Sequence, residues 1–294
     1  MSIPYNKWDL DWVLPRDEQS SECKICQIVE KPCPCGFPRE TVMGVKKMYV
    51  LPSGFLNVDR SIMLTAEGMG VKVKAPVLSV LLIHEAGPIL VDCGLNPDGL
   101  TDPEGTWGPR AKVIQPEMTA ADDIRERLKQ IHLTVSDVKM VIQTHLHWDH
   151  TGGLRFFNHC PILAQKAEYR FAFHPDSNIS AQYMPNHFEF PLGYQLLEGD
   201  QIVLPGISVM KTPGHQSVYV KLDTGAAFIL AGDAIPVMEN VTRKIPASNV
   251  WNAQQTMENI YRLEHLSRLL HAEIIPFHDI TVWKEMKKVP EFYD

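Results

Sequence analysis

From residue 46 onward the apolar positions fall into short β-rich runs broken by glycine- and charge-bearing turns, and residues 48–51, 61–65, 77–84 and 88–92 each read as a strand. The period then changes, with Ile124, Leu128 and Ile131 on one helical face within residues 122–131. The apolar run 138–144 predicts a buried strand and 161–164 another. A helix opens near Lys166, residues 201–212 return to β texture, and a hairpin follows. Residues 251–270 carry the clearest amphipathic pattern, with Met257, Ile260, Tyr261 and Leu263 on one side. Residues 1–45 show no sustained period and are punctuated by Pro4, Pro15, Pro32, Pro34 and Pro38. They read as an irregular extension ahead of a single domain over 46–294.

One pattern occurs twice. Ser79-Val80-Leu81-Leu82-Ile83, a turn at Gly87 and Ile89-Leu90-Val91-Asp92 resemble Ser217-Val218-Tyr219-Val220, a turn at Gly225 and Phe228-Ile229-Leu230. Serine precedes glycine by eight residues in both, whereas Asp92 follows its glycine by five and Asp233 by eight. The pattern indicates two similar hairpins without establishing a duplication. Two β-rich halves with flanking helices predict an α+β fold, a four-layer αββα sandwich.

The chain has 294 residues, 45% hydrophobic and 21% charged, enough for a sizeable core. A net charge of −7 argues against a nucleic-acid partner, because phosphate binding needs a basic face. No apolar run approaches the roughly 20 residues of a spanning helix. Residues 1–19 carry Asp9, Asp11, Arg16, Asp17 and Glu18 and lack the apolar stretch of a secretory signal. These features predict a cytoplasmic protein with a small-molecule partner and no membrane association. Of six cysteines, Cys23, Cys26, Cys33 and Cys35 cluster closely enough to hold a structural zinc, the alternative being reduced thiols in an ordered arm. Cys93 and Cys160 lie far from the cluster, and Cys93 reads as a small buried residue.

The candidate chemistry begins with His145-Leu146-His147-Trp148-Asp149-His150. Side chains at i and i+2 of an extended segment share a side, so His145 and His147 can grip one ion while Asp149 and His150 reach a second. By chance such a pattern arises in about one chain in a thousand of this length. Gly152-Gly153 follows, where the backbone must approach a neighbour closely before a helix. His215, Asp233 and His278 each close an apolar run, and a carboxylate at the end of a buried strand must be paired or coordinated. Imidazole and carboxylate donors suit zinc, and equally manganese, iron or cobalt. His84, His132, His159, His174, His187, His265 and His271 read as structural or solvent-facing.

Together with Lys46-Lys47-Met48-Tyr49, Gly87-Pro88-Ile89-Leu90-Val91-Asp92, Glu198-Gly199-Asp200, Thr212-Pro213-Gly214-His215-Gln216-Ser217 and Phe277-His278-Asp279-Ile280, these residues resemble the metallo-β-lactamase superfamily. Within it they resemble the quorum-quenching N-acyl-homoserine lactone lactonases, over about residues 46–294. The resemblance implies that His145, His147 and His215 hold one divalent ion, Asp149, His150 and His278 the other, and that Asp233 bridges them. Zinc is the expected ion. It further implies a hydrolase in which hydroxide shared by the two ions attacks the carbonyl of a lactone or ester. Asp149 and Asp233 are then the catalytic carboxylates, Asp149 passing a proton to the leaving group. Asp92 is expected to orient ligands from behind. A homodimer is one assembly open to the chain, the sequence leaving the oligomeric state unset.

Two departures stand out. The lactonases usually carry a longer loop with a second Pro-Gly-His-like element after the His215 counterpart, where Gln216-Ser217 follow at once here. They also place a tyrosine three residues after the bridging aspartate, where its phenol assists the carbonyl oxygen, and this chain has Pro236. Proline offers neither hydroxyl nor N–H, which leaves Tyr183, Tyr194 and Tyr219 as candidate replacements. Glyoxalase II-like ester or thioester hydrolysis is the alternative activity, although such enzymes continue into a helical domain and only sixteen residues follow His278 here. A ribonuclease Z-like role is opposed by the acidic balance, and a flavodiiron role by His147 standing where a glutamate is needed. A non-enzymatic metal-binding protein is the remaining alternative.

Overall fold

A computed structural model describes residues 44–294; Cys23, Cys26, Cys33, Cys35 and nearly all of the expected extension lie outside them. Strands β1 (Val45–Asp59), β2 (Lys72–His84), β3 (Gly87–Val91), β4 (Met140–Ile142), β5 (Pro161–Gln165) and β6 (Gly193–Leu197) form one sheet in chain order. Its first three strands run antiparallel and the later pairs are parallel. Strands β7 (Gln201–Leu204), β8 (Ile207–Thr212), β9 (His215–Lys221), β10 (Ala227–Gly232) and β11 (Ala272–Pro276) form the second sheet, in the order β11-β10-β9-β8-β7. There only β10 and β11 are parallel.

The expected strand at 61–65 does not form. Instead β1 runs on to Asp59 and the chain turns into α1 (Arg60–Met63), where Asp59 caps the turn by accepting from Ser61 N at 3.0 Å. Ile62, Met63 and Leu64 pack on Val58 and Val77, so a run that short satisfies either period. Two further short helices, α2 (Pro103–Trp107) and α3 (Arg110–Val113), precede α4 (Ile124–Lys129), which is shorter than the 122–131 pattern suggested. The expected strand 138–144 is cut to Met140–Ile142 because Gln143 and Thr144 leave the sheet to begin the loop described below.

The layer order follows from which residues meet. Between the sheets, Val50, Leu78, Val80, Leu82 and Val91 pack against Val209, Val218, Val220, Leu230 and Ile275. On the outer face of the first sheet, Leu81, Leu90, Val141 and Ile162 pack with Ile124 and Leu128 of α4 and Ala172 of α5 (Lys166–Phe173). The short α6 (Pro185–Phe188) adds Phe188 to this core. On the outer face of the second sheet, Ile229 and Ile274 meet Val241 of α7 (Met238–Arg243) and Ile260 and Leu263 of α8 (Ala253–Leu270). This is the αββα order, and central strands buried on both faces therefore read as nearly continuous apolar runs. A last helix, α9 (Ile280–Glu285), follows β11.

Both recurrent hairpins form, β2–β3 with Gly87 at its turn and β9–β10 with Gly225 at its turn. In each half the second arm of the hairpin gains a parallel neighbour after a helical crossover, β4 beyond α4 and β11 beyond α8. Among the described residues no helix is long and apolar enough to cross a membrane.

Candidate metal centre

The chain brings all seven expected ligands to one place, where the loop after β4 meets the start of β9 and the ends of β10 and β11. They fall into two buried groups: His145, His147, His215 and Asp233, and Asp149, His150 and His278. In each group the candidate ligand atoms lie within 4.8 Å of one another. Asp233 stands between the groups. Its Oδ1 lies 2.9 Å from His278 Nε2 and 3.3 Å from His150 Nε2, while Oδ2 lies 3.5 Å from His145 Nε2 and 3.6 Å from His147 Nδ1. Asp149 Oδ2 is 3.7 Å from the Nε2 atoms of both His150 and His278.

Each ring is aimed by what holds its outer edge. Asp92, fully buried with φ of 57°, accepts from Thr144 N and Thr144 Oγ1, each at 2.7 Å, and from His150 Nδ1 at 2.8 Å. Because the Thr144 hydroxyl proton goes to Asp92, its oxygen accepts from His145 Nδ1 at 2.9 Å. The Pro76 carbonyl accepts from His278 Nδ1 at 2.8 Å, and the Pro236 carbonyl accepts from His278 N at 3.1 Å. Glu168, from the first turn of α5, accepts from Leu146 N at 2.9 Å and so pins the loop between two ligands. Gly152 sits where a methyl group would come within 2.0 Å of Asn96 N, which gives the close approach expected of the Gly152-Gly153 pair its physical cause.

This arrangement fits divalent cations. Rings held through Nδ1 turn their Nε2 atoms inward, where the neutral ring offers a lone pair, and those of His150 and His278 face each other at 3.4 Å. The Nε2 atoms of His145 and His215 are buried without a hydrogen-bond partner. Burial, with His150 and His147 close by, holds the His145 pKa well below its usual value, and burial pulls His215 down to about 3. Both are neutral donors. His150 goes the other way: burial opposes its charge, but Asp149, Asp233 and Asp92 outweigh it and raise the pKa well above normal. Burial would raise Asp233 too, yet His278, His145 and His150 hold it well below the carboxylate range. A negative field around converging lone pairs is what a divalent ion satisfies.

Fold and site together define a metal-dependent hydrolase, and the chain belongs to the metallo-β-lactamase superfamily, whose profile matches residues 74–278. Among similar proteins is the N-acyl homoserine lactonase of Bacillus thuringiensis, 32% identical over 256 residues, which cover 85% of this chain and 100% of that one. The N-acyl homoserine lactonase AttM of Agrobacterium fabrum is 30% identical over 262 residues, covering 84% and 98%. In structure the chain resembles an N-acyl homoserine lactone hydrolase with the product N-hexanoyl-L-homoserine bound at its catalytic metal center. The TM-score is 0.78 at 32% identity, with 85% of this chain and 100% of that one covered.

Of the three candidate phenols, only that of Tyr183 is at the site. Its ring meets the His147 ring edge-on at 5.0 Å, and its hydroxyl donates to Glu168 Oε2 at 3.3 Å. Tyr194 donates to the Phe188 carbonyl in the outer core, and Tyr219 packs with the residues under α8, so neither replaces the missing phenol. His187, His84 and His159 bond to the carbonyls of Trp148, Pro205 and Val138, as structural histidines do. The sequence reading missed Thr144, Glu168 and Trp251. Glu168 looks like an ordinary polar position in an amphipathic helix, yet it is 2% exposed, and burial lifts its pKa to about 7 against the pull of His147 and its two donors. Trp251 lies over Gly214, just before His215, with its ring 4.8 Å from that of Phe171.

Proposed function

We propose that this chain opens the ring of N-acyl homoserine lactones or a closely related lactone. His145, His147 and His215 hold one ion, Asp149, His150 and His278 the second, and Asp233 is shared. The carrying observation is that carboxylate, which presents one oxygen to inward-facing nitrogens of each group. Similarity to N-acyl homoserine lactonases over 85% and 84% of this chain supports the choice of substrate. The all-nitrogen-and-oxygen donor set accommodates zinc, manganese, iron or cobalt; zinc is the ion we propose, and a bound pair would supply an activated water and polarise the carbonyl.

The chain's own residues do the rest. Asp92, through His150 directly and His145 by way of Thr144, fixes one ring in each group. The Asp149 carboxylate would take the proton given up by the attacking water and return it to the ring oxygen as the carbon–oxygen bond breaks. Trp148 and Tyr183, both buried, wall the ligands and limit water. Pro236 contributes a backbone carbonyl to His278 and no donor to the substrate.

The test is turnover of lactones, esters and thioesters by metal-replete protein, with elemental analysis alongside. Two metals per chain and ring opening of an N-acyl homoserine lactone are expected. Turnover confined to thioesters would transfer the chain to glyoxalase II-like chemistry, and a replete but inert protein would make it a metal-binding protein only.

A further inference from the structure

Arg110 opens α3, and its carbonyl accepts from Ile114 N at 2.9 Å and Gln115 N at 3.1 Å, so its backbone is fixed. Its guanidinium lies over the ring of Trp148, with Cζ 5.7 Å from the ring centroid. Trp148 stands between His147 and Asp149 in the site loop and packs edge-on against Trp107. Other arginines are paired: Arg127 with Asp122 at 2.6 Å, Arg125 with Asp123 at 2.6 Å, and Arg155 with Asp98 at 2.5 Å. Arg110 is not. Its Nε is shut away from solvent with no partner, and its terminal nitrogens engage no acceptor among the described residues. The acid whose field reaches it is Asp149, but that carboxylate turns to His150 and His278, 3.7 Å away.

A half-buried cation without a counter-charge is costly, and the cost is recovered when a ligand brings the anion. We propose that Arg110 is a specificity-determining residue that receives a carboxylate on the substituent of the substrate, so that the preferred lactone carries an anionic group beyond its ring. The proposal rests on the lactonase reading above. Because the guanidinium sits on Trp148 and touches none of the seven ligands, the carboxylate it receives belongs to the substituent and is not the one created by ring opening. A planar fork matches a carboxylate with two parallel hydrogen bonds, whereas a neutral carbonyl leaves the charge uncompensated.

The experiment compares N-glutaryl homoserine lactone with neutral N-pentanoyl homoserine lactone in wild type, Arg110→Met and Arg110→Lys. The metal-loaded wild type is expected to favour the glutaryl substrate by about ten- to a hundredfold in kcat/KM, carried by KM. In Arg110→Met that ratio falls to about one, and in Arg110→Lys it takes an intermediate value. The ratio is internal to each preparation, so partial misfolding lowers both rates and leaves it intact. Absence of a glutaryl preference in wild type, or its survival in Arg110→Met, overturns the proposal. Calorimetric binding of the two ring-opened products gives the same comparison without turnover. If neither lactone is opened, the lactonase reading fails, while a product-affinity difference that disappears in Arg110→Met still assigns the carboxylate site.

Discussion

Strand β3 ends just before Asp92, and strand β10 ends just before Asp233; each aspartate closes the second arm of a hairpin. Each also stands beside a parallel strand that leads to a histidine, His145 after β4 and His278 after β11. The surroundings differ. Asp92 faces a backbone N–H, a hydroxyl and an imidazole N–H, three donors that satisfy its oxygens permanently. Asp233 faces the inward nitrogens of His145, His147, His150 and His278, those of His145, His150 and His278 on rings whose other nitrogen is bonded outward. The same scaffold position thus yields an anchor where it meets donors and a metal ligand where it meets lone pairs. The longer interval from glycine to Asp233 has a simple origin: Gly87 is itself the first residue of β3, whereas Gly225 lies in the turn ahead of β10, which is also the longer strand.

The comparison breaks most directly at Asp233. Asp233→Ala removes the group common to both ion sites, and kcat is expected to fall by about a thousandfold or more, since the ions supply several kcal/mol of charge stabilisation. Metal analysis should show that neither site fills stoichiometrically. A variant that keeps two metals and ordinary turnover would place Asp233 with Asp92 among the anchors.

Asp92→Ala comes next. It leaves all seven ligands in the chain but frees His150, and frees His145 through Thr144, so one ring in each group loses its orientation. A loss of about ten- to a hundredfold in metal affinity and activity is expected. Competition titration with a chelator reads it, and both ions should weaken together. Weakening of one ion alone would mean that the relay through Thr144 carries no orientation to His145.

How much of this was legible in the sequence depends on how locally each feature is determined. His145, His147, Asp149 and His150 lie within one short loop, and their close spacing in sequence was enough to suggest two pairs. Asp233 and His278 showed as polar residues ending apolar strands, and the double-sided burial behind αββα showed as continuous apolar runs. What failed was set by distant partners. The run after Asp59 became α1 because Val58 and Val77 offered it a core, and β6 was missed because it is a mostly exposed edge strand. Glu168 acquires its role from Leu146 and Tyr183, 22 and 15 residues away in sequence, and no helical pattern marks such a contact.

Tyr183→Phe has the smallest expected effect and sharpens the comparison most finely. With Tyr194 and Tyr219 removed from the site by the fold, Tyr183 is the phenol left to replace the one that Pro236 lacks. Its hydroxyl is already committed: it donates to Glu168 Oε2, and burial together with that carboxylate raises its pKa. The ring, not the hydroxyl, is what meets His147. Phenylalanine keeps the ring and deletes the bond, so kcat should fall by less than about threefold while metal content stays the same. The deletion strands a buried carboxylate oxygen, a cost of about 1–3 kcal/mol. For a domain of this size each kcal/mol corresponds to a fall of about 2–4 °C in Tm. A lowered Tm with preserved kcat puts Tyr183 beside Asp92, as a group that aims a ligand through its neighbour. A hundred- to thousandfold fall in kcat at constant KM, the usual signature of a lost oxyanion donor, would instead show that substrate draws the hydroxyl away from Glu168. Tyr183 would then stand with Asp233, on the side of the comparison that faces the reaction.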